Sequence, residues 1–121
     1  WVGFYFAKPE TKTLHLKAFA GIPTDHMVIP FGKGICGQVA LSNQNLVVDD
    51  VHAEENYISC NIDVKSEIVI PLFLNGVNIG QIDIDSNTSK AFNQDDIVLL
   101  KEINYRLSKY MLSNKLSINI S

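Results

Sequence analysis

IVIPLFLNGVNIGQIDID, residues 68–85, is the stretch of sequence that decides the fold. Its first part, residues 68–74, is an apolar run. Asn75-Gly76 follows, a dipeptide that strongly favours a two-residue turn between antiparallel strands. The return strand, residues 77–85, sets isoleucines against polar partners, as expected of a half-buried strand. The stretch therefore predicts a β-hairpin.

Further strands and one short helix are predicted before this hairpin. Residues 2–6 are aromatic and β-branched around a glycine, residues 13–19 alternate apolar and polar side chains, and residues 46–48 form a brief apolar run. The segment 20–31 contains glycine and prolines and is expected to be mostly loop. A short helix is predicted over residues 35–41, after a glycine-rich turn.

A long helix is predicted after Asn93, which is a good N-cap residue. Asp95 and Asp96 would lie in its first turn, where the helix dipole favours negative charge. Four apolar residues then follow at helical spacing and predict one buried stripe: Leu100, Ile103, Leu107 and Met111. Strands combined with one short and one long covering helix predict an α+β fold.

Length and charge limit the classes of protein that this chain can represent. Its 121 residues fit a single domain, 1–121. Lysine and arginine number 10 against 13 aspartates and glutamates, a net charge of −3, which argues against nucleic acid as a partner. The chain contains no apolar run of the ~18 residues that would cross a bilayer, so we expect no membrane partner.

The cysteine content and the first residues give expectations about setting. Two cysteines are too few for a disulfide-stapled secreted scaffold, so we expect a cytoplasmic location. The first residues lack the basic start and cleavage site of a signal peptide. They also lack an initiator methionine, and we expect the chain to be a fragment or a processed product.

The two cysteines differ in their predicted surroundings. Cys60 ends a long loop, residues 49–61, and a loop position suits a reactive thiol, with Lys65 favouring the thiolate and Glu67 opposing it. A reactive and a structural role for Cys60 stay equally open on these grounds. Cys36, within the predicted short helix, is expected to be a small buried residue with a structural role.

Asp83 and Asp85 are predicted to lie on the same face of a strand, because side chains alternate. Two neighbouring carboxylates repel each other, which raises the pKa of at least one of them. They need a cation between them or exposure to water. A ligand ammonium group and a solvated strand end are therefore both open as explanations.

Neither a metal nor a cofactor is expected. The three histidines stand singly, without the local pairing typical of zinc ligands. Gly34 and Gly37 flank the start of the short helix, where bare backbone N–H groups could bind a carboxylate or a phosphate. A tight chain reversal is the simpler explanation of these glycines and is favoured.

Several segments together resemble the free methionine-(R)-sulfoxide reductases, which are single GAF-type domains. They are WVGFY at 1–5, IPFGKGICG at 29–37, DVH at 50–52, ISC at 58–60, SEIVIPL at 66–72 and DIDS at 83–86. The resemblance extends from Trp1 to about the middle of the last helix. It implies a central antiparallel sheet of about six strands with helices packed against it, and a small closed pocket for one free amino acid.

The resemblance also implies roles for individual residues. Cys60 matches the catalytic loop cysteine, and Cys36 matches a second family cysteine. Glu67, Asp83 and Asp85 match acidic residues that hold the substrate ammonium and assist at the sulfoxide, and Glu67 and Asp85 are counted as catalytic. Trp1 and Tyr5 match aromatic residues that line the pocket near the methyl sulfoxide.

The implied activity is the thiol-dependent reduction of free L-methionine-(R)-sulfoxide, a form of oxidative stress repair. The reaction passes through a cysteine sulfenic acid and a disulfide, and thioredoxin or a similar dithiol is the expected reductant. A homodimer is one of the assemblies that the chain could form. Residues 24–30, TDHMVIP, lack a further cysteine that the family usually carries there, and the family's N-terminal helices are also missing. Cys36 as resolving thiol, direct action of an external thiol, and loss of turnover all stay open.

Two other functions are compatible with the same residues. One is a GAF domain that binds or senses a small amino-acid-like ligand without turnover. The other is an interaction domain that pairs through the last helix.

Overall fold

The computed structural model describes residues 1–57 and 63–114. Its strands are β1 (Val2–Lys8), β2 (Thr13–Ala20), β3 (Val28–Pro30), β4 (Leu46–Val48), β5 (Ser66–Leu74) and β6 (Val77–Ser86). Its α-helices are α1 (Gly34–Ser42) and α2 (Gln94–Ser113), and Val51–Ala53 form one turn of 3-10 helix. The strands pair in the order β3-β2-β1-β6-β5-β4, and every pairing is antiparallel. The predicted α+β class and the sheet of about six strands are confirmed.

The hairpin predicted from residues 68–85 joins β5 to β6. Asn75 and Gly76 both have positive φ, 52° and 78°, as a two-residue turn between twisted strands requires. β5 lies inside the sheet although it contains Pro71, which has no N–H to donate. The structure accommodates this proline because β4 pairs only with the segment from Glu67 to Val69.

The sheet has two differently covered faces. On the face that we call the α2 face, Ile68, Ile70 and Ile82 form a buried cluster with Leu100 of α2. On the opposite face, the α1 face, the buried cluster includes residues from α1 and from five strands, among them Tyr5, Leu14, Ile29, Cys36, Val39, Val48 and Val69. Adjacent residues of one strand, such as Ile68 and Val69, therefore belong to different layers.

The long helix α2 begins as predicted, but its buried stripe differs from the prediction. Asn93 forms a capping box with Asp96. The buried residues of α2 are Leu100, Asn104, Ser108 and Met111, whereas Ile103 is 38% exposed. Asn104 is buried because its Nδ2 donates to the carbonyl oxygens of residues 70 and 71, at 3.1 and 3.0 Å. The apolar pattern could not indicate this polar contact.

The segment 20–31 contains a strand that the prediction of mostly loop missed. β3 pairs with the start of β2, and its central residue, Ile29, is 5% exposed. Its flanking prolines and glycines hid this short edge strand. No helix in the described ranges has the length and the hydropathy needed to span a bilayer.

Candidate active site

Three carboxyl side chains lie together on the α1 face. Glu67 of β5 is paired with Asp85 of β6, and Asp83 follows at the next same-face position of β6. The exposed fractions of Glu67, Asp83 and Asp85 are 5%, 2% and 7%. The predicted common face of Asp83 and Asp85 is confirmed, and the alternative of a solvated strand end is wrong because the α1 layer covers them.

Cys36 of α1 contacts the row of Glu67, Asp83 and Asp85, which we call the acidic row. Its Sγ donates to Oε2 of Glu67 at 3.9 Å, and the side chain is 4% exposed. One donor atom each from Cys36, Glu67 and Asp83 can be chosen so that all three lie within 4.8 Å of one another. The predicted burial of Cys36 is confirmed. Its thiol contacts the acidic residue Glu67 as well as the apolar cluster of the α1 face, so Cys36 is also a candidate functional residue.

The three carboxyl groups of the acidic row have no ion-pair partner from a basic side chain of the described residues, 1–57 and 63–114. Burial raises the pKa of Asp85 to about 8, and the neighbouring Asp83 adds to this effect. Burial likewise raises the pKa of Glu67 well above its usual range, and Asp83 again contributes. Burial therefore favours the neutral form of these carboxyl groups, and a cation placed among them would favour the charged form.

Burial also raises the pKa values of Asp83 and Cys36. Burial raises the pKa of Asp83, although hydrogen bonds with Glu67 and Cys36 oppose the shift. Burial, followed by the charge of Asp83, raises the pKa of the Cys36 thiol well above 9.0. The Oδ1 atoms of Asp83 and Asp85 are buried and have no hydrogen-bond partner. Buried acceptors of this kind need a donor, and a cationic N–H group is the best one.

Two cavities flank the acidic row. The smaller, about 20 Å³, is lined by Tyr5, Cys36, Glu67 and Asp83 together with residues near the start of α1. The larger, about 160 Å³, is lined by residues that include Trp1 and Asp85. Acidic side chains thus line both spaces.

The two aromatic residues that the resemblance implied are divided between these cavities. Tyr5 is 1% exposed, and its hydroxyl donates to the carbonyl oxygen of His26 at 2.9 Å. Trp1 stacks on Phe19 with ring centroids 6.1 Å apart. Gly80 makes the placement of Tyr5 possible, because any Cβ at that position would collide with the Tyr5 carbonyl oxygen.

The glycines at the start of α1 serve mainly to fold the chain. The N–H of Gly34 donates to Oδ1 of Asn56 at 3.1 Å, and the N–H of Gly37 donates to the carbonyl oxygen of Lys33 at 3.0 Å. A Cβ on Gly37 would lie 2.7 Å from the carbonyl oxygen of Pro30. The favoured explanation, a tight chain reversal, accounts for these contacts.

Cys60 lies outside the described residues, so its predicted role stays a prediction. One buried residue of the site was missed at the level of sequence. Gln81 is 0% exposed, and its Nε2 donates to the carbonyl oxygen of Cys36 at 3.1 Å. The signal was present, because the alternation that places Asp83 and Asp85 on one face also places Gln81 there.

Comparison with known protein families defines the class first. The family model described as GAF domain matches residues 1–107. The chain therefore belongs to the GAF domain family.

Individual relatives narrow this class. The free methionine-R-sulfoxide reductase of Escherichia coli is 36% identical over 111 residues, which are 92% of this chain and 66% of that protein. The structure of the type II free methionine-R-sulfoxide reductase from Thermoplasma acidophilum has a TM-score of 0.85 at 38% identity, covering 90% of this chain and 76% of that chain. The free methionine-R-sulfoxide reductase from Neisseria meningitidis, solved in complex with its substrate, has a TM-score of 0.90 at 37% identity, covering 95% and 68%.

These relatives place the chain in the free methionine-R-sulfoxide reductase group of GAF domains, as the resemblance implied. The chain spans less than two thirds of the Escherichia coli protein's length, 66%.

Proposed function

We propose that this chain reduces free methionine-(R)-sulfoxide to methionine with electrons from thiols. The observation that carries this proposal is the buried row of Glu67, Asp83 and Asp85, which forms no ion pair with a lysine, arginine or histidine among the described residues and borders two cavities. A free amino acid brings the ammonium group that such a row requires. Relatives that carry the name of this activity, one of them solved with its substrate, support the same choice.

In this proposal each end of the substrate has its own partners. The ammonium group donates to the unpartnered Oδ1 atoms of Asp83 and Asp85. The carboxylate lies toward the start of α1, where Lys33 and Ile35 line the smaller cavity. The methyl sulfoxide group lies against Trp1 and Tyr5, whose rings line the two cavities.

The proposed reaction transfers the sulfoxide oxygen to Cys60. A carboxylic acid of the row, Glu67 or Asp85, donates a proton to this oxygen, which makes the S–O bond easier to break. The Cys60 thiolate supplies the electron pair, methionine leaves, and Cys60 becomes a sulfenic acid. A second thiol then forms a disulfide with Cys60 and releases water, and a dithiol returns the disulfide to two thiols.

The second thiol is either Cys36 or a thiol of an external reductant. Cys36 is buried and its thiol has a raised pKa, so little of it is thiolate at neutral pH. We therefore favour direct attack by an external thiol over resolution by Cys36. Thioredoxin as that thiol, a homodimer and a cytoplasmic setting stay predictions from the sequence.

The test compares Cys60→Ser with Cys36→Ser on separated sulfoxide epimers, using dithiothreitol and then thioredoxin as reductant. We expect Cys60→Ser to abolish methionine release with either reductant while it still binds methionine sulfoxide. We expect Cys36→Ser to keep most of the turnover with dithiothreitol. Binding by the parent chain without any methionine release would contradict the proposal and favour a non-catalytic binding domain.

A further inference from the structure

We infer that the cavity between α2 and the edge of β5 is a binding site for an adenine mononucleotide. The cavity encloses about 330 Å³, which is within the range of small-molecule sites. The lining residues on which the inference rests are Pro71, Phe73, Lys101, Asn104 and Tyr105. No residue that lines this cavity also lines either cavity of the acidic row, so the inference stands whether or not the proposed reaction is correct.

The cavity lies where β4 stops covering β5. β4 pairs with β5 only from Glu67 to Val69, whereas β5 continues to Leu74. Beyond Val69, this edge of β5 has no neighbouring strand in residues 1–57 and 63–114, and Pro71 has no N–H to offer one. Residues of α2 and of the segment before β4 therefore line an open space at this edge.

Asn104 of α2 has an unused acceptor atom at this edge. It is 4% exposed, and its Nδ2 donates to the carbonyl oxygens of residues 70 and 71, at 3.1 and 3.0 Å. These two bonds fix the orientation of the amide, because an exchange of its N and O atoms would place oxygen against oxygen. The Oδ1 atom is buried and has no hydrogen-bond partner among the described residues. A buried acceptor of this kind indicates a ligand that supplies an N–H donor.

The other lining side chains select the class of ligand. An amide oxygen that accepts from the N6 amino group is a common partner of adenine. The rings of Phe73 and Tyr105 are 41% and 56% exposed, and aromatic rings in such positions stack on nucleobases. Lys101 precedes Asn104 by three residues and therefore lies on the same side of α2. It forms no ion pair with another described residue, so its ammonium group can pair with a phosphate.

The test titrates the parent chain with adenosine monophosphate, followed by calorimetry and by NMR. We expect saturable binding of one equivalent, with the largest amide shifts in residues 70–74 and 101–105. Inosine monophosphate has an acceptor in place of the N6 amino group, so it should bind at least about tenfold more weakly. Adenosine lacks the phosphate and should bind about threefold more weakly. These changes of ligand test Asn104 without a substitution, which would also break its bonds to β5.

Substitutions of exposed residues locate the site. Tyr105→Ala should weaken the binding of adenosine monophosphate at least about fivefold, because stacking is lost. Lys101→Gln should weaken it about threefold and leave the binding of adenosine unchanged. Lys17→Gln removes the same charge from an exposed position of β2, and it should change neither affinity because β1 and β6 separate β2 from β5.

Far-ultraviolet circular dichroism shows whether each variant is folded, and Phe73→Ala replaces Tyr105→Ala if that chain is not. Three results would each overturn the inference. They are no saturable binding of adenosine monophosphate, equal affinity for adenosine and inosine monophosphates, and equal affinity for adenosine monophosphate in the stacking variant and the Lys17→Gln chain.

Discussion

The two faces of the central hairpin have opposite chemistry although β5 and β6 build both of them. Toward α2, Ile68, Ile70 and Ile82 pack against a long helix in a dry cluster. Toward α1, the intervening positions hold Glu67 and Asp83, buried as deeply as the isoleucines. Burial on the α2 face therefore stabilises the fold, whereas burial on the α1 face costs stability and leaves groups that need a ligand.

The largest expected effect is on activity, from a change on the α1 face. Asp83→Asn removes a charge that the proposed ammonium needs but keeps the shape of the side chain. Loss of one partner of a buried charge pair costs about 2–5 kcal/mol, so kcat/KM should fall roughly 30- to 4000-fold. Steady-state kinetics check this result. An unchanged kcat/KM would contradict the assignment of substrate binding to the α1 face.

The complementary change on the α2 face should reduce stability instead. Ile70 is 1% exposed in the apolar cluster, so Ile70→Ala should lower the free energy of unfolding by about 2–5 kcal/mol. Urea unfolding measures the loss. Activity per folded molecule should be close to that of the parent chain, since Ile70 contacts neither cavity of the α1 face. A large loss of activity in the folded variant would show that the two faces are coupled.

The pH dependence of stability distinguishes the faces without any loss of packing. The pKa of Asp85 rises from 3.8 to about 8 on folding, so between these values the native state binds more protons than the unfolded state. The free energy of unfolding should therefore fall as the pH rises through this window. Asp85→Asn should reduce that fall by on the order of 2 kcal/mol, because asparagine does not ionise. A pH dependence identical in both chains, by urea unfolding, would mean that Asp85 is already ionised in the native state.

The smallest effect is expected at the edge of the α2 face. Asn93 caps α2 through its side chain, which accepts from the backbone N–H groups of Asp95 and Asp96. Asn93→Ala should therefore lower the free energy of unfolding by about 1 kcal/mol. A thermal shift measurement on the two chains is sufficient. A loss as large as that of Ile70→Ala would mean that the cap, rather than the apolar cluster, anchors the helix.

The hairpin turn and the start of α2 could be predicted from local sequence, but the α1 face could be predicted only in part. The turn at Asn75-Gly76 and the cap at Asn93 are signals within a few residues. Alternation also placed Asp83 and Asp85 together, yet the same alternation fits a solvated strand. Whether a layer covers them depends on α1, which is distant in sequence.

Two further features depended on contacts that no local pattern contains. Ile103 has the spacing of a buried residue, but Asn104 takes the buried position because two carbonyl oxygens of β5 need its amide. Cys36, Glu67 and Asp83 have no common spacing, since three separate elements bring them together. A search for local sequence patterns therefore could not find this cluster.

The turn at Asn75 and Gly76 has a practical consequence for protein engineering. Glu67 lies near the start of β5 and Asp85 near the end of β6, so the turn is at the far end of the hairpin. A strand of 9 residues such as β5 spans roughly 30 Å at about 3.3 Å per residue. The space around Gly76 is open, since a Cβ there would meet no atom within 4 Å, but its φ of 78° disfavours any side chain, so an attachment belongs beside Gly76 rather than in its place. A fluorescent label, an affinity tag or new chain ends introduced at this tip would report on the molecule from a distance without obstructing the two cavities beside the acidic row.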